Sequence, residues 1–307
     1  LGQRSMQLPA LLTCLPWLKW LLWIGMLSPT VFLAASPLGS SEWARDRHVA
    51  ARLLSERTHV QSGDRWWVAL ELQHDPSWHT YWVNGGDAGI PTTIIWDLPE
   101  GIQAGTIHWA PPQIVKMGQL DVYGYEDRCM LLIPFTATKA LREDRPSTIR
   151  AKVNWMMCAR TCLPGKGVSI KLQLSPNSST GNHESLPWFE AMQRALKELP
   201  QEPKDMDSFT LHYDASTRHY SLNWRHSEKA TLREIRSHVY FFDASGQVTS
   251  NQPQRMTRKQ GSWSLELPRA DYAPEKVGGL KGLLRIQEDA AKNQFQWLRL
   301  ELPLTQH

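Results

Sequence analysis

Short runs in which apolar and polar residues alternate dominate the chain after its first 36 residues. Each run is rich in β-branched and aromatic residues and is bounded by Gly, Pro, Asn or Asp, as is typical of β-strands. Because little helical periodicity lies between the runs, the pattern predicts an all-β, immunoglobulin-like sandwich rather than a βαβ fold. In the first half, the predicted strands cover residues 65–73, 78–83, 92–98, 129–135, 148–157 and 168–174.

The pattern changes at residues 175–185, which are rich in Ser, Asn and Gly and predict a linker. The segment that follows, PWFEAMQRALKEL, predicts one helix with Pro187 near its first turn. Strand-like runs return from Ser208 onward, with a turn predicted at 243–246. We therefore predict a second, smaller β-sandwich, joined to the first by a helix-containing linker. The apolar residues that share one face of the helix are Trp188, Met192, Leu196 and Leu199.

The first 36 residues have the layout of a secretory signal peptide. Arg4 and Lys19 are the charged residues there, and an apolar run follows from Trp20 to Ala35. The run is shorter than the roughly 20 residues of a spanning helix, and Pro29 interrupts it, so an uncleaved anchor is the alternative. The sequence thus predicts an exported protein. Its predicted parts are a signal peptide (1–36), a first β-sandwich (37–176), a linker with a helix (177–204) and a second β-sandwich (205–307).

Charge and motifs exclude several classes of function. Without Arg4 and Lys19, the 34 basic residues fall to 32 against 30 acidic ones, and a formal charge of +2 argues against nucleic acid as a partner. The sequence contains no HExxH, no G-x-S-x-G elbow, no phosphate-binding loop and no dinucleotide fingerprint. A hydrolase or nucleotide-dependent enzyme is therefore unsupported, and no bound cofactor is expected.

Two cysteines four positions apart, Cys158 and Cys162 in VNWMMCARTCLPGKGVSIKL, are the strongest candidates for chemistry. The pattern of this segment predicts a strand, a tight turn and a second strand. In an extended strand their Cα atoms would lie about 13 Å apart, so the chain must turn to join them. In an exported protein such a pair is a structural staple, a metal clip or a redox centre. As a staple it is weak, because so short a loop gains only about 2 kcal/mol.

The metal interpretation has a specific form. The C-x-x-x-C spacing, the Pro that follows and the neighbouring Met156 and Met157 resemble the Cu(I) site of Sco-type copper chaperones, and sulfur ligands select Cu(I). In that family the motif leads into a helix, whereas here Gly165 and Gly167 precede a strand-like run. A Cu(I)-binding or copper-tolerance protein that uses Cys158 and Cys162 is the alternative function.

Other residues are candidates for the surroundings of the pair. Cys129 is predicted to be a small packing residue, as free cysteines commonly are. The glycine-rich loop 84–91 either covers the cysteines or only connects two strands. A carboxylate near the pair would raise a thiol pKa, and a tyrosine hydroxyl would donate to a thiolate. The residues considered for these roles are Asp121, Tyr123, Tyr125 and Glu126.

Several segments, in this order and spacing, carry a family resemblance. The segments are WHTYWVNGGDAGIPTTIIWDLPEG, IHWAPPQ, VYGYEDRCMLLIPF and WMMCARTCLPGKGVSIKL. Together they resemble the amino-terminal periplasmic domain of DsbD and ScsB-type thiol:disulfide interchange proteins. In the second half, VYFFDASGQVTSNQPQ and SWSLELP are similar to the second periplasmic domain of the ScsB-type branch.

The resemblance implies an immunoglobulin-like domain with one redox-active pair, Cys158 and Cys162. It implies that the pair takes electrons from a membrane reductase and passes them to periplasmic thioredoxin-fold isomerases or reductases. Cys162 would form the mixed disulfide with partners, and Cys158 would resolve it. Typical members continue into membrane helices and a thioredoxin-like domain. This sequence contains neither, so the expected electron donor is a separate chain. The chain is then a fragment, half of a split system or a free-standing carrier.

Overall fold

The structure is a computed structural model in which strands account for most of the described chain. The predicted signal peptide and most of the predicted linker 175–185 lie outside the described residues. No helix in the described ranges is long and apolar enough to cross a membrane. Ser36–His307 cluster as one unit, and the division at 176 and 205 stays a prediction. The described residues are 37–175, 186–225, 239–259, 262–289 and 294–305.

The first half consists mainly of short β-strands, most of which pair antiparallel with a neighbouring strand. They are β1 (Ala44–Asp46), β2 (Val49–Ser55), β3 (Arg65–His74), β4 (Thr80–Gly86), β5 (Thr93–Asp97), β6 (Ile102–Ala104), β7 (Gln113–Met117), β8 (Leu120–Tyr125), β9 (Arg128–Ala137), β10 (Ser147–Asn154), β11 (Met156–Cys158), β12 (Cys162–Pro164) and β13 (Val168–Leu174).

These strands form two main sheets that bury one core. One sheet has the order β1-β2-β3-β9-β6 and the other β13-β10-β5, while β4-β8-β7 and β11-β12 form smaller sheets. Burial alternates residue by residue along β10 and β13, as expected when one face of a strand packs inward. Apolar side chains of both main sheets meet in the core, among them Leu53, Leu70, Leu131, Ile133, Ile149, Val153, Ile170 and Leu172.

Each run predicted in the first half coincides with strand structure, but the runs omit β1, β2, β6, β7 and β8, and one run was divided wrongly. The run 148–157 was predicted as a single strand, but it is two strands separated at Trp155. Residues before Trp155 pair with β5 and β13, whereas those after it pair with β12. A change of pairing partner ends a strand without changing its apolar composition, so the composition alone did not reveal the break.

The predicted helix is confirmed as α1 (Phe189–Lys197). Trp188 is its N-cap residue, and its indole Nε1 donates a 2.8 Å hydrogen bond to the carbonyl oxygen of Ser55. Pro187 therefore lies just before the helix, rather than in its first turn. The apolar face of the helix covers the outer face of the larger sheet. The buried residues at this contact are Leu54, Ala69, Leu132, Trp188 and Met192.

The second half is also built from strands, which confirms the all-β class. Two sheets with the orders β14-β15-β18-β17 and β16-β19-β20 enclose an apolar core of their own. The predicted turn after the FFD run is present, with Gly246 at φ +72°. The strands are β14 (Phe209–Asp214), β15 (His219–Arg225), β16 (Tyr240–Asp243), β17 (Arg255–Lys259), β18 (Ser262–Pro268), β19 (Leu280–Asp289) and β20 (Gln294–Leu302).

The second half makes hydrogen bonds to the start of the glycine-rich loop and to the neighbouring strand β8. These contacts fix the backbone of residues 84–87, at the end of β4. Asn84 Nδ2 donates to the carbonyl oxygen of Asp243 (2.7 Å), Ser250 Oγ donates to that of Asp121 (2.5 Å) and Tyr272 OH donates to that of Gly86 (3.2 Å).

His74, at the end of β3, is expected to make the protein less stable in mild acid. Its Nδ1 donates to the carbonyl oxygen of Asp127, and its Nε2 accepts from the Thr80 hydroxyl at 2.9 Å. Burial lowers the pKa of His74 from 6.5 to about 4. Between these values the unfolded chain binds a proton that folded His74 does not, so the free energy of unfolding falls as pH drops from 6.5 to 4. The loss reaches about 3 kcal/mol.

Urea unfolding at several pH values checks this expectation, with His74→Gln as the matched variant. The variant should lose the part of the decline between pH 6.5 and 4 that His74 causes, because glutamine does not titrate, and should keep the part that His79 and His108 cause, whose pKa values burial also lowers. A decline of equal size in both proteins contradicts the assignment to His74.

Candidate functional site

Cys158 and Cys162 lie directly opposite each other on a two-stranded hairpin. Cys158 ends β11, Cys162 begins β12, and the two residues are antiparallel partners. Residues 159–161 make the turn that the sequence required. The Cα atoms of the two cysteines come within 4.1 Å and the sulfurs are joined in a disulfide. The predicted strand, turn and strand is therefore confirmed, and the structure brings both candidate site residues together.

The two sulfur-bearing residues differ sharply in exposure. Cys158 is 0% exposed and packs in an apolar cluster with Tyr81, Val115 and Val122. Cys162 is exposed and lines an open pocket of about 620 Å³. An approaching thiol therefore has access to Cys162 and not to Cys158. The other residues that line the pocket are Ser77, His79, Val115, Lys116, Met117, Gly118, Glu126, Ala159 and Arg160.

Tyr81 and Met117 contact the exposed sulfur. The Tyr81 hydroxyl lies 3.6 Å from Cys162 Sγ, and because the sulfur belongs to a disulfide, the hydroxyl is the donor. Met117 Sδ lies 3.8 Å from the same sulfur. Burial raises the pKa of Tyr81 to about 12, so the hydroxyl stays protonated at neutral pH and remains a hydrogen-bond donor.

The loop 84–91 packs against the ring of Tyr81. Gly89 has φ +111°, and a Cβ atom placed on it would lie 2.2 Å from two carbons of the Tyr81 ring. Only a residue without a side chain allows the backbone to approach the ring this closely. Ala88 packs against the cluster that buries Cys158. The loop connects β4 to β5 and also forms part of the packing behind the disulfide.

Of the residues predicted to surround the pair, only Glu126 lines its pocket. The placement of Tyr123 and Tyr125 near the cysteines was wrong. Tyr123 is buried, with its hydroxyl 3.0 Å from that of Tyr240, and Tyr125 donates to the carbonyl oxygen of Ala110. Asp121 forms an ion pair with Lys116.

The sequence reasoning missed Tyr81, Met117 and His79. A usable signal was present for two of them. His79 and Tyr81 alternate in WHTYWV, and residues two apart in a strand point to the same face. The third, Met117, is brought in by the pairing of β7 with β8, which the sequence pattern did not predict.

Cys129 is separate from this site. It lies on β9, where it packs against the core of the first half, and it is a free cysteine. Burial, with a smaller contribution from Glu71, raises the pKa of the Cys129 thiol well above its ordinary value. A protonated, packed thiol is a poor nucleophile, which supports the packing role. Within the described ranges, no group of three or more His, Cys, Asp and Glu residues is placed to hold a metal ion.

Reduction of the disulfide is expected to cost little stability. The bridge closes a loop with a sequence separation of 4, for which the loss of chain entropy in the unfolded state is worth about 2 kcal/mol. Urea unfolding of the oxidised and reduced protein measures the difference, with Cys129→Ala as a control that leaves it unchanged. A loss above about 4 kcal/mol on reduction would instead identify a structural staple.

The fold and the site together define a class: a β-sandwich domain that carries one disulfide on a surface hairpin, with one sulfur accessible. Such a site is suited to thiol:disulfide interchange. Residues 50–174 match the family model described as "Thiol:disulfide interchange protein DsbD, N-terminal". This part of the chain is therefore similar to the DsbD N-terminal family, and the resemblance predicted from the sequence is confirmed.

A solved structure agrees with this similarity at the level of fold. The N-terminal periplasmic domain of ScsB from Proteus mirabilis superposes with a TM-score of 0.59 at 15% identity, and the match covers 88% of this chain and 100% of that one. The YadV chaperone (TM-score 0.22, 12% identity, covering 81% of this chain and 99% of that one) is too distant in structure to inform the comparison. No curated protein sequence matches the chain significantly.

Proposed function

We propose that this chain is a periplasmic module that carries electrons through Cys158 and Cys162. The donor is a membrane thiol reductase, and the acceptors are periplasmic thioredoxin-fold isomerases or reductases. The observation that carries the proposal is the disulfide whose one sulfur is exposed and whose other sulfur is buried. An exchange site needs one sulfur that a partner can reach and a second, adjacent sulfur that can break the mixed disulfide.

The exposure difference supports a separate role for each cysteine in this proposal. Cys162 is accessible, so in the reduced module its thiolate attacks the partner's disulfide and forms the mixed disulfide. Cys158, at 0% exposure, then attacks Cys162 Sγ and releases the reduced partner. The direction of transfer follows from the reduction potentials of the two pairs, and specificity follows from the surface around the pocket.

Tyr81 supports the accessible thiolate. Its hydroxyl already lies 3.6 Å from Cys162 Sγ in the disulfide form. Because its pKa is raised to about 12, it donates rather than competes as an anion. A hydrogen bond to the charged form of a thiol lowers the thiol pKa. Tyr81 therefore favours the reactive thiolate of Cys162 after reduction.

The periplasm is consistent with this chemistry. Disulfides form and persist in oxidising compartments, and the bacterial periplasm is one of them. The predicted signal peptide would deliver the chain there. The family match over residues 50–174 and the fold shared with a periplasmic domain support the same location.

Trapping of the mixed disulfide tests the function. Reduced Cys158→Ala, incubated with a periplasmic extract whose thioredoxin-fold proteins are oxidised, is expected to form adducts through Cys162 that dithiothreitol releases. Wild type should form far fewer, because Cys158 resolves them. Cys162→Ala is the matched control, since its remaining Cys158 is buried.

The absence of any reducible adduct with Cys158→Ala would contradict the exchange function. If the same reduced protein instead takes up Cu(I) stoichiometrically and loses that uptake in Cys162→Ala, the copper-tolerance alternative replaces it.

A further inference from the structure

His79 is a buried histidine beside the disulfide that the exchange steps described above do not use. It lies just before β4 and is 2% exposed. Its Nε2 atom is buried and has no hydrogen-bond partner among the described residues. Buried polar atoms are nearly always paired, so an unpaired one calls for an explanation.

Backbone pairing places His79 next to Cys158. The amide of His79 donates to the carbonyl oxygen of Cys158 (2.9 Å), and the amide of Cys158 donates back (3.0 Å). Residues directly opposite in an antiparallel pair point to the same face, with Cβ atoms about 5 Å apart. Cys158 is in turn directly opposite Cys162. The side chains of His79, Cys158 and Cys162 therefore form one row on one face.

Tyr81 confirms the direction of this row. It lies two residues after His79, so its side chain shares the same face. Its ring packs edge-on against the His79 ring, with centroids 5.2 Å apart, and its hydroxyl contacts Cys162 Sγ. The imidazole of His79 thus belongs to the same small group of side chains as the disulfide.

Cys158 needs a proton acceptor in order to resolve a mixed disulfide. Once reduced, its thiol lies in an apolar cluster with Val115 and Val122, and such surroundings raise a thiol pKa. The thiolate, not the thiol, is the nucleophile. A neutral imidazole beside this sulfur supplies the missing acceptor.

We propose that His79 is the general base that accepts the Cys158 proton when Cys158 resolves the mixed disulfide, an inference that rests on the proposed exchange function. First, the Cys162 thiolate bonds to one partner sulfur, and the other partner sulfur leaves as a thiolate. The Cys158 proton then moves to His79 Nε2. Cys158 Sγ bonds to Cys162 Sγ, and the remaining partner sulfur leaves and takes up the proton. Two electrons pass from the module to the partner.

The charges around His79 are compatible with this role. In the disulfide form, burial lowers the pKa of His79, which keeps the ring neutral and able to accept. A thiolate on Cys158 would stabilise the protonated ring, because opposite charges at short range favour each other. His74, at the end of β3, and Tyr81, on β4, are its nearest titratable neighbours along the chain. The charged residues that share its pocket on other elements are Lys116, Glu126 and Arg160.

Titration of the His79 imidazole in wild type, followed by NMR, tests the proposal without a substitution. Reduction of the disulfide with dithiothreitol is expected to lower the His79 pKa further, because the new Cys158 thiol donates to Nε2 and a hydrogen bond to the neutral ring disfavours its charged form. His74 serves as the internal control and should shift much less. An unchanged His79 pKa overturns the proposal.

Stopped-flow reaction with the aromatic disulfide DTNB tests the resolving step directly, in a Cys14→Ala, Cys129→Ala background. Attack by Cys162 releases one coloured thiolate, and resolution by Cys158 releases a second. His79→Gln should slow the second release roughly a hundredfold at neutral pH and shift its pH profile upward, as loss of a general base does. The first release should stay within about twofold.

His74→Gln is the matched control, a second buried histidine on the neighbouring strand, and it should leave both releases unchanged. An unaltered second release in His79→Gln, or equal slowing in both variants, overturns the His79 assignment alone. DTNB needs no protein partner, so this failure is distinct from failure of the adduct experiment, which bears on the proposed function.

Discussion

Gly89→Ala is expected to lower the free energy of unfolding by about 4 kcal/mol, a large effect for one added methyl group. The backbone at Gly89 has φ +111°, where an L-residue is strained by about 1–3 kcal/mol. The new Cβ atom would also lie 2.2 Å from carbons of the Tyr81 ring, and overpacking of this kind costs about 1–3 kcal/mol more. Either the loop or the ring must move, and movement of the ring would take the Tyr81 hydroxyl away from Cys162 Sγ.

Gly63→Ala separates the two contributions to this loss. Gly63 has φ +92°, and nothing lies within 4 Å of a Cβ atom placed there. It should show only the backbone strain of about 1–3 kcal/mol. Urea unfolding of both variants gives the comparison. Equal losses at the two glycines would mean that the Tyr81 ring does not resist the added methyl group.

Asp243→Ala is expected to destabilise the second half by about 4 kcal/mol. The Asp243 carboxylate is fully buried and accepts from the amides of Ser245, Gln247 and Val248, and from the Ser245 hydroxyl. Alanine would leave these donors without their acceptor, and each buried unsatisfied group costs about 1–3 kcal/mol. Part of this loss of stability is offset because water can accept hydrogen bonds from some of the freed amides.

The matched control is Asp214→Ala, which removes a carboxylate that accepts hydrogen bonds in the same kind of turn, but at the surface. Asp214 accepts from the amide and hydroxyl of Ser216 but is exposed, so water replaces it there. Thermal unfolding should therefore show a much smaller loss for Asp214→Ala than for Asp243→Ala. Similar losses would show that burial of the Asp243 turn does not determine its cost.

The sequence predicted the elements better than it predicted the neighbours of the disulfide. Alternation is a local property, so the strands and helix α1 were recoverable, as was the need for a turn between Cys158 and Cys162. Tyr81 is 81 positions from Cys162, and no local pattern reports such a contact. Tyr123 and Tyr125 were considered either as neighbours of the cysteines or as packing residues at a strand edge. They lie in the core, because the register of β8 against β4 decides which face each tyrosine occupies.

The hydrogen bonds from the second half to the loop have a consequence for the order of folding. They join residues 159 and 186 positions apart, Asn84 to Asp243 and Tyr272 to Gly86. Contacts between such distant residues form late, since the closure of a long loop must come first. The cysteine hairpin is local and can close early. During folding, the hairpin that brings Cys158 and Cys162 together can therefore form before the C-terminal residues bond to the loop that packs against Tyr81.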